Sequence, residues 1–178
     1  AYSKSTGRIL FFVSKLKDTY TGVNGDNFSY FKFSWYSYID SDTTEVTDGR
    51  SLFTDCTPLM FLRFNAENMK TMKNIIANNQ IGGANKLRTI FISGLGTQPE
   101  CNELFLKYNR WFGIEHEDDP FSKNQARQSL TDTLLTHSFD RVSAGYSVFT
   151  ITLHQDTFNL LTEEEIDAIT NKGYTITV

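Results

Sequence analysis

Triplets, apolar except for His116 in one of them, recur along the chain with three variable positions inside each. Leu59-x-x-Leu62-x-Phe64, Leu87-x-x-Ile90-x-Ile92, Trp111-x-x-Ile114-x-His116 and Val148-x-x-Ile151-x-Leu153 share this form, and Thr175-Ile176-Thr177 repeats Thr150-Ile151-Thr152. Each reads as a short strand with alternate side chains turned inward. The centres Leu62, Ile90, Ile114, Ile151 and Ile176 advance by 28, 24, 37 and 25 residues, and three of these four steps fall within the ~20–29 residues of a leucine-rich repeat. Helical periodicity is expected between them. Met69, Met72 and Ile76 mark a helix over Ala66–Asn79, and Pro99 opens a second in which Leu104, Tyr108 and Phe112 stack one turn apart. Ser122 and Gln125 form a capping-box candidate before the stripe Ala126, Leu130, Leu134. Thr162 and Glu165 form another, with Leu161 and Ile166 as a staple and Lys172-Gly173 as the stop.

The first fifty residues have a different rhythm. Arg8–Val13 is a continuous apolar run and reads as a covered strand. In Phe28–Ile39, Phe31, Phe33 and Trp35 share one face, then Tyr36 and Tyr38 follow on the opposite parity, as a bulge or a two-sided strand would give. Two Gly-, Asn-, Asp- and Thr-rich loops bound that run. The fold expected is therefore α/β: a leucine-rich-repeat-like βα solenoid or a mixed α/β sheet, with a β-rich attachment region over residues 1–50 and a repeat-like body over 51–178. In a solenoid, Arg63, Arg88, Phe91, Thr150, Thr152, Thr175 and Thr177 would line the concave face.

The last third carries a resemblance. Ser129–Arg141 (S-L-T-D-T-L-L-T-H-S-F-D-R), then A-G-Y, T-I-T-L and L-L-T-E-E-E-I-D-A-I-T-N-K-G-Y-T-I resemble the leucine-rich-repeat-like module of Bacteroidetes surface proteins and of structural proteins of their phages. The resemblance implies a non-enzymatic virion subunit, capsid- or tail-associated, that works by packing against other protein subunits in an oligomer or larger assembly. The alternative it implies is a secreted or cell-surface adhesin or ligand-binding module. Residues 1–50 take no part in it.

Composition narrows the partners. With 17 basic and 21 acidic residues the formal charge is −4 and no long basic run occurs, so nucleic acid is not the expected partner. No apolar run approaches the ~20 residues that cross a bilayer, and no membrane association is expected. Cys56 and Cys101 make no disulfide framework and read as plain thiols.

Candidate chemistry is sparse. Glu115-His116-Glu117-Asp118-Asp119 has hard-cation ligand types, with Glu115, Glu117 and Asp118 the residues that would hold a metal. It lacks the order of an EF-hand loop, and a solvated acidic loop is the simpler reading. A small hydrolase would need His116 or His154 beside a nucleophile, yet no G-x-S-x-G elbow exists; His137 and His154 fit helix and strand ends instead. Gly94-Leu95-Gly96 lacks the third glycine of a dinucleotide loop and the Lys of a phosphate loop, so it reads as a turn. No catalytic residue and no cofactor are expected. The expected interface residues are Phe31, Phe33, Trp35, Tyr36 and Tyr38, one wall of a core or a surface covered by another chain. Tyr174, Ile176 and Val178 join them on the last strand, whose outer edge is expected to be open unless a partner covers it.

Overall fold

Two small parallel sheets form because inward positions recur at matched register. The computed structural model describes residues 10–13, 38–50, 52–53, 60–76, 89–108, 111 and 120–178. Strands β1 (Leu10–Val13), β2 (Tyr38–Ser41), β3 (Phe61–Asn65) and β4 (Thr89–Ser93) lie side by side in chain order, all parallel. Ile39, Leu62 and Ile90 share one register line, Phe64 and Ile92 another, and all five are buried. The sheet thus draws strands from both sides of residue 50. The second sheet, β5 (Glu103–Leu106), β6 (Phe149–Leu153) and β7 (Tyr174–Thr177), is also parallel and in chain order. Leu104, Ile151, Leu106 and Leu153 turn inward there, and Phe149 packs on Tyr174 with ring centroids 5.5 Å apart.

The turns after β2 and β3 stack as the strands do. Asp48 bridges Thr71 in parallel, Lys70 N–H donates to Thr47 O at 2.8 Å, and Phe53 N–H donates to Ile75 O at 2.8 Å. The Thr43 hydroxyl closes the corner, donating to Asn65 O and accepting from Asn65 N–H at 2.8 Å. These bonds overturn the helix expected from Ala66: residues 66–76 are a chain of turns and a bridge. Met69, Met72, Ile75 and Ile76 are buried as a helix stripe would be. Three-residue spacing also fits successive turns, and here backbone groups pair with the neighbouring segment rather than within a helix.

A second correction concerns residues 103–106. The expected helix with Leu104 and Tyr108 in one stripe is instead strand β5, whose Leu104 and Leu106 are buried while Glu103 and Phe105 face out. Period two wins because the backbone pairs with β6, Glu103 opposite Thr150, and Tyr108 stays 60% exposed. Of the proposed strand around Ile114, only Trp111 is described. It is buried, its backbone N–H donating to Thr157 Oγ1 at 2.9 Å and its indole to Ser129 Oγ at 2.7 Å.

The helices follow the sequence more closely, although the first begins at Pro120 and takes Ser122, the expected cap, into its first turn. Helix α1 (Pro120–Thr131) packs its Ala126 and Leu130 inward against β4 and runs into a π-helical turn, Asp132–Thr136, that buries Leu134. Helix α3 (Glu163–Asn171) has the full capping box, Glu165 N–H donating to Thr162 Oγ1 at 3.2 Å and Thr162 N–H to Glu165 Oε2 at 2.8 Å. It ends at Lys172 with Gly173 at φ +92°, a left-handed position that suits glycine. The short helix α2 (Gln155–Phe158) was not foreseen. His154 caps it by accepting Asp156 N–H on Nδ1 at 3.1 Å; that contact requires an unprotonated Nδ1, so the 3.6 Å approach of Nδ1 to the Asp156 carboxylate is a neutral contact while the cap is made.

One buried cation ties the sheets together. Arg141 is fully buried, and its guanidinium donates to Gly96 O at 2.6 Å, Ser147 O at 2.8 Å and Gln98 O at 3.1 Å. It lies over Tyr146 and Phe149, 5.4 and 5.5 Å from the ring centroids. Beside it, Tyr174 donates its hydroxyl hydrogen between Leu95 O and Phe139 O, each 2.8 Å away. Gly96, at φ +81°, is the point of closest approach: a side chain there would strike the Tyr174 hydroxyl. The loop after β4 is thereby fastened to the strands of the second sheet.

Two outcomes follow from this clamp. Arg141→Met strands the buried carbonyl of Gly96, at roughly 1–3 kcal/mol, and removes the bonds to the part-buried carbonyls of Gln98 and Ser147, worth roughly 1 kcal/mol each. Urea unfolding should show a loss of about 3 kcal/mol or more, with Arg141→Lys restoring only part; a loss under about 1 kcal/mol would rule the clamp out. Burial pushes the Tyr174 phenol up to about 12. Its folded value lies above the unfolded one of about 10, so its contribution is complete below about pH 10 and is lost as pH rises through about 12. The stability difference between wild type and Tyr174→Phe, followed by denaturant titration, should hold constant to about pH 10 and shrink above it.

Candidate functional site

Among the described residues the two sheets have two outward faces and four outer edges, those of β1, β4, β5 and β7. On the first sheet, Tyr38, Phe61 and Thr89 share a register line, as do Asp40, Arg63 and Phe91. Strand alternation that sends Ile39, Leu62 and Ile90 inward sends these residues out. Tyr38 and Phe61 stack at 4.3 Å with an interplanar angle of 6°. The Arg63 guanidinium lies 5.4 Å from the Phe61 centroid and 5.2 Å from that of Phe91. One nitrogen, NH1, reaches Asp40 Oδ2 at 3.4 Å. His137, exposed at the end of the π-helical turn, meets the Phe91 ring edge-on at 5.0 Å.

The second sheet presents a different chemistry. Glu103, Thr150 and Thr175 form one outward line, and Phe105, Thr152 and Thr177 the next. Thr177 Oγ1 donates to Thr152 Oγ1 at 3.0 Å, while Phe105 leans on the exposed Tyr108 ring at 5.6 Å. Of the strip expected on a concave face, Arg63, Phe91 and the four threonines all lie on outward strand positions; Arg88 is outside the described residues.

The edges differ. Beyond β4, Ile92 N–H donates to Thr133 Oγ1 at 3.1 Å, Gly94 N–H to His137 O at 3.2 Å, and Phe139 N–H to Leu95 O at 2.9 Å. That edge is sealed by the π-helical turn and the segment after it. On β7, Phe149 N–H donates to Gly173 O at 3.0 Å, so the parallel alternation turns Thr175 and Thr177 toward β6 and Tyr174 and Ile176 away from it. Among the described residues no strand pairs with that outer side.

The expected interface residues separate accordingly. Tyr38 is half-buried on the outward face, whereas Phe31, Phe33, Trp35 and Tyr36 lie outside the described residues. Tyr174 is 1% exposed, so its ring belongs to the core and only its backbone faces the edge. Ile176 is half-buried and Val178 exposed at 46%. Glu115, Glu117 and Asp118, with His116, lie outside the described residues; among those described no group of three or more His, Cys, Asp or Glu could hold a metal. Burial pushes the Cys101 thiol up to about 11, which keeps it protonated and unreactive near neutral pH. Burial lowers the Lys172 ammonium, which donates to Leu135 O and Ser138 O at 2.8 and 2.6 Å and so fastens the end of α3. Sequence reasoning missed Arg141 and the part Thr133 plays in closing β4; neither has a local sequence signal, because both act on segments 41 to 45 positions away. Among the described residues no helix is long and apolar enough to cross a membrane. Comparison of the chain with family models, with curated proteins and with solved structures gives no match in any of the three.

Proposed function

We propose that the protein is a non-enzymatic assembly subunit, a capsid- or tail-associated virion component of the kind its sequence resemblance implies, and that the open edge of β7 is where a neighbouring subunit adds a strand. The observation that carries this reading is the contrast between two edges: β4 is closed by a threonine hydroxyl and a neighbouring segment, whereas among the described residues no strand pairs with the outer side of β7. An unpaired row of strand amides is a template for pairing, and proteins that do not use one generally blunt it with lysine, proline or a bulge. Tyr174-Thr175-Ile176-Thr177 has none of these. Strand addition draws affinity from main-chain hydrogen bonds.

In the same proposal the two sheets are consecutive stretches of one leucine-rich-repeat-like solenoid. Paired positions Leu10 and Tyr38, Phe61 and Thr89, Phe149 and Tyr174 are 28, 28 and 25 residues apart, and Tyr38 and Phe61 are 23 apart. These offsets support a repeating coil. A second reading, a secreted adhesin or ligand-binding module, is favoured by the aromatic and guanidinium groups on the outward face of the first sheet.

Ile176→Pro deletes an outward N–H while leaving the β6 pairing partners Thr175 and Thr177 in place. Light scattering on the wild-type protein should give an oligomer mass, and the variant a single-chain mass at similar thermal stability. A wild-type protein that is monomeric and missing from purified particles, or an oligomer indifferent to the proline, would sink the proposal.

A further inference from the structure

We propose that the outward face of the first sheet around Arg63 binds an anionic saccharide, its carboxylate on the guanidinium and its ring carbons on the flanking aromatic rings. The site is independent of the β7 edge. Its floor is set by register: Phe61 and Arg63 are alternate residues of β3, Phe91 stands directly opposite Arg63 on β4, and Tyr38 stands opposite Phe61 on β2. All three rings are half-buried, and those of Phe61 and Phe91 flank the guanidinium.

Arg63 is held but not used up. Its guanidinium is confined by Phe61 and Phe91, 5.4 and 5.2 Å from the two centroids. Among the described residues its one hydrogen bond is the long 3.4 Å contact of NH1 with Asp40 Oδ2, and the side chain is 50% exposed. An exposed ion pair of that length is worth little. Bidentate pairing with a carboxylate is shorter and stronger, and an arginine already positioned by rings gives up less side-chain entropy when it binds. The face therefore offers a planar donor fork, oriented in advance, at the centre of an aromatic surface.

The groups around the fork select the class of ligand. Asp40 can accept from hydroxyls, and His137, placed on the rim by the π-helical turn, brings ring nitrogens beside Phe91. π-helical turns of this length recur at functional sites. Free phosphate would engage the fork and leave the rings unused. An apolar side chain would leave the charged groups of both signs on this face, Asp40 and Arg63, without a partner. A sugar acid uses every element: C–H faces for the rings, hydroxyls for Asp40 and His137, a carboxylate for Arg63. The outward face of the second sheet has threonines and Glu103 where the first has its cation, and does not offer this combination.

Calorimetric titration with oligogalacturonate and with hyaluronan fragments tests the assignment, with maltooligosaccharide as the neutral control and inorganic phosphate as the competitor. At least one acidic probe should bind, the neutral sugar should not, and Arg63→Gln should weaken binding by about tenfold or more with an unchanged far-UV spectrum and thermal midpoint. Phe91→Ala should weaken it while Ile176→Pro leaves it intact. The site is overturned if neither acidic probe binds, if Arg63→Gln binds as wild type does, if the neutral sugar binds equally, or if phosphate competes as well as the sugar does.

Discussion

A buried guanidinium whose partners among the described residues are backbone carbonyls is the constraint on which the arrangement of the sheets depends. Burying a lone charge is costly unless fixed dipoles replace its hydration. Arg141 meets that condition only where the turn after β4 and the turn before β6 converge, because its acceptors are Gly96 O, Gln98 O and Ser147 O. Displacing either turn would leave a buried cation short of acceptors. The Tyr174 hydroxyl between Leu95 O and Phe139 O imposes the same requirement from β7, and Gly96 is where both demands meet the backbone. Three chain segments far apart in sequence are thus held by donors that have no alternative partner.

With the sheets fixed in this way, their surfaces follow from alternation. Each strand gives its branched and aromatic residues to the interior at every second position, and the intervening residues have no choice but to face out. The first sheet thereby gains a guanidinium between aromatic rings and the second a pair of threonine lines. The same geometry seals one edge and opens another. Widening the helical turn at Asp132–Thr136 brings Thr133 Oγ1 within 3.1 Å of Ile92 N–H and carries His137 back to Gly94. Nothing equivalent stands beside Tyr174–Thr177 among the described residues. An assembly surface and a ligand surface can both arise from this scaffold, because the groups involved face different directions.

How much of this could be read in advance depended on how local each signal is. Helix α3 and the strands on either side of it are legible, α2 excepted, because Thr162, Glu165, Lys172 and Gly173 set the limits of α3 through bonds within a few residues of themselves. Inward positions on β3 and β4 were legible for the same reason, since Leu62, Phe64, Ile90 and Ile92 follow period two. Residues 103–108 were not, because Leu104 fits a helical stripe with Tyr108 and a strand face with Leu106 equally well. Pairing with residues near Thr150 decides between them, and that pairing is invisible locally. Residues 66–76 misled for a related reason: their buried methionines satisfy helical spacing while their backbone bonds go to residues 47–53. Arg141 gave no signal, as arginine is seldom fully buried. The aromatic run of Phe31, Phe33, Trp35 and Tyr36 and the acidic cluster of Glu115, Glu117 and Asp118 fall outside the described residues, so the surface readings rest on Tyr38, Arg63, Phe91 and the β7 edge.

The central proposal is that the β4 edge is sealed from within while the β7 edge takes a partner. Amide hydrogen exchange resolved to single residues, on dilute isolated protein, tests it most directly. Ile92 and Gly94 should be protected, and on β7 protection should alternate, with Thr175 and Thr177 slow and Ile176 fast until the protein is concentrated into its assembly. Equal protection of Ile176 and Thr175 in the isolated chain would contradict the account.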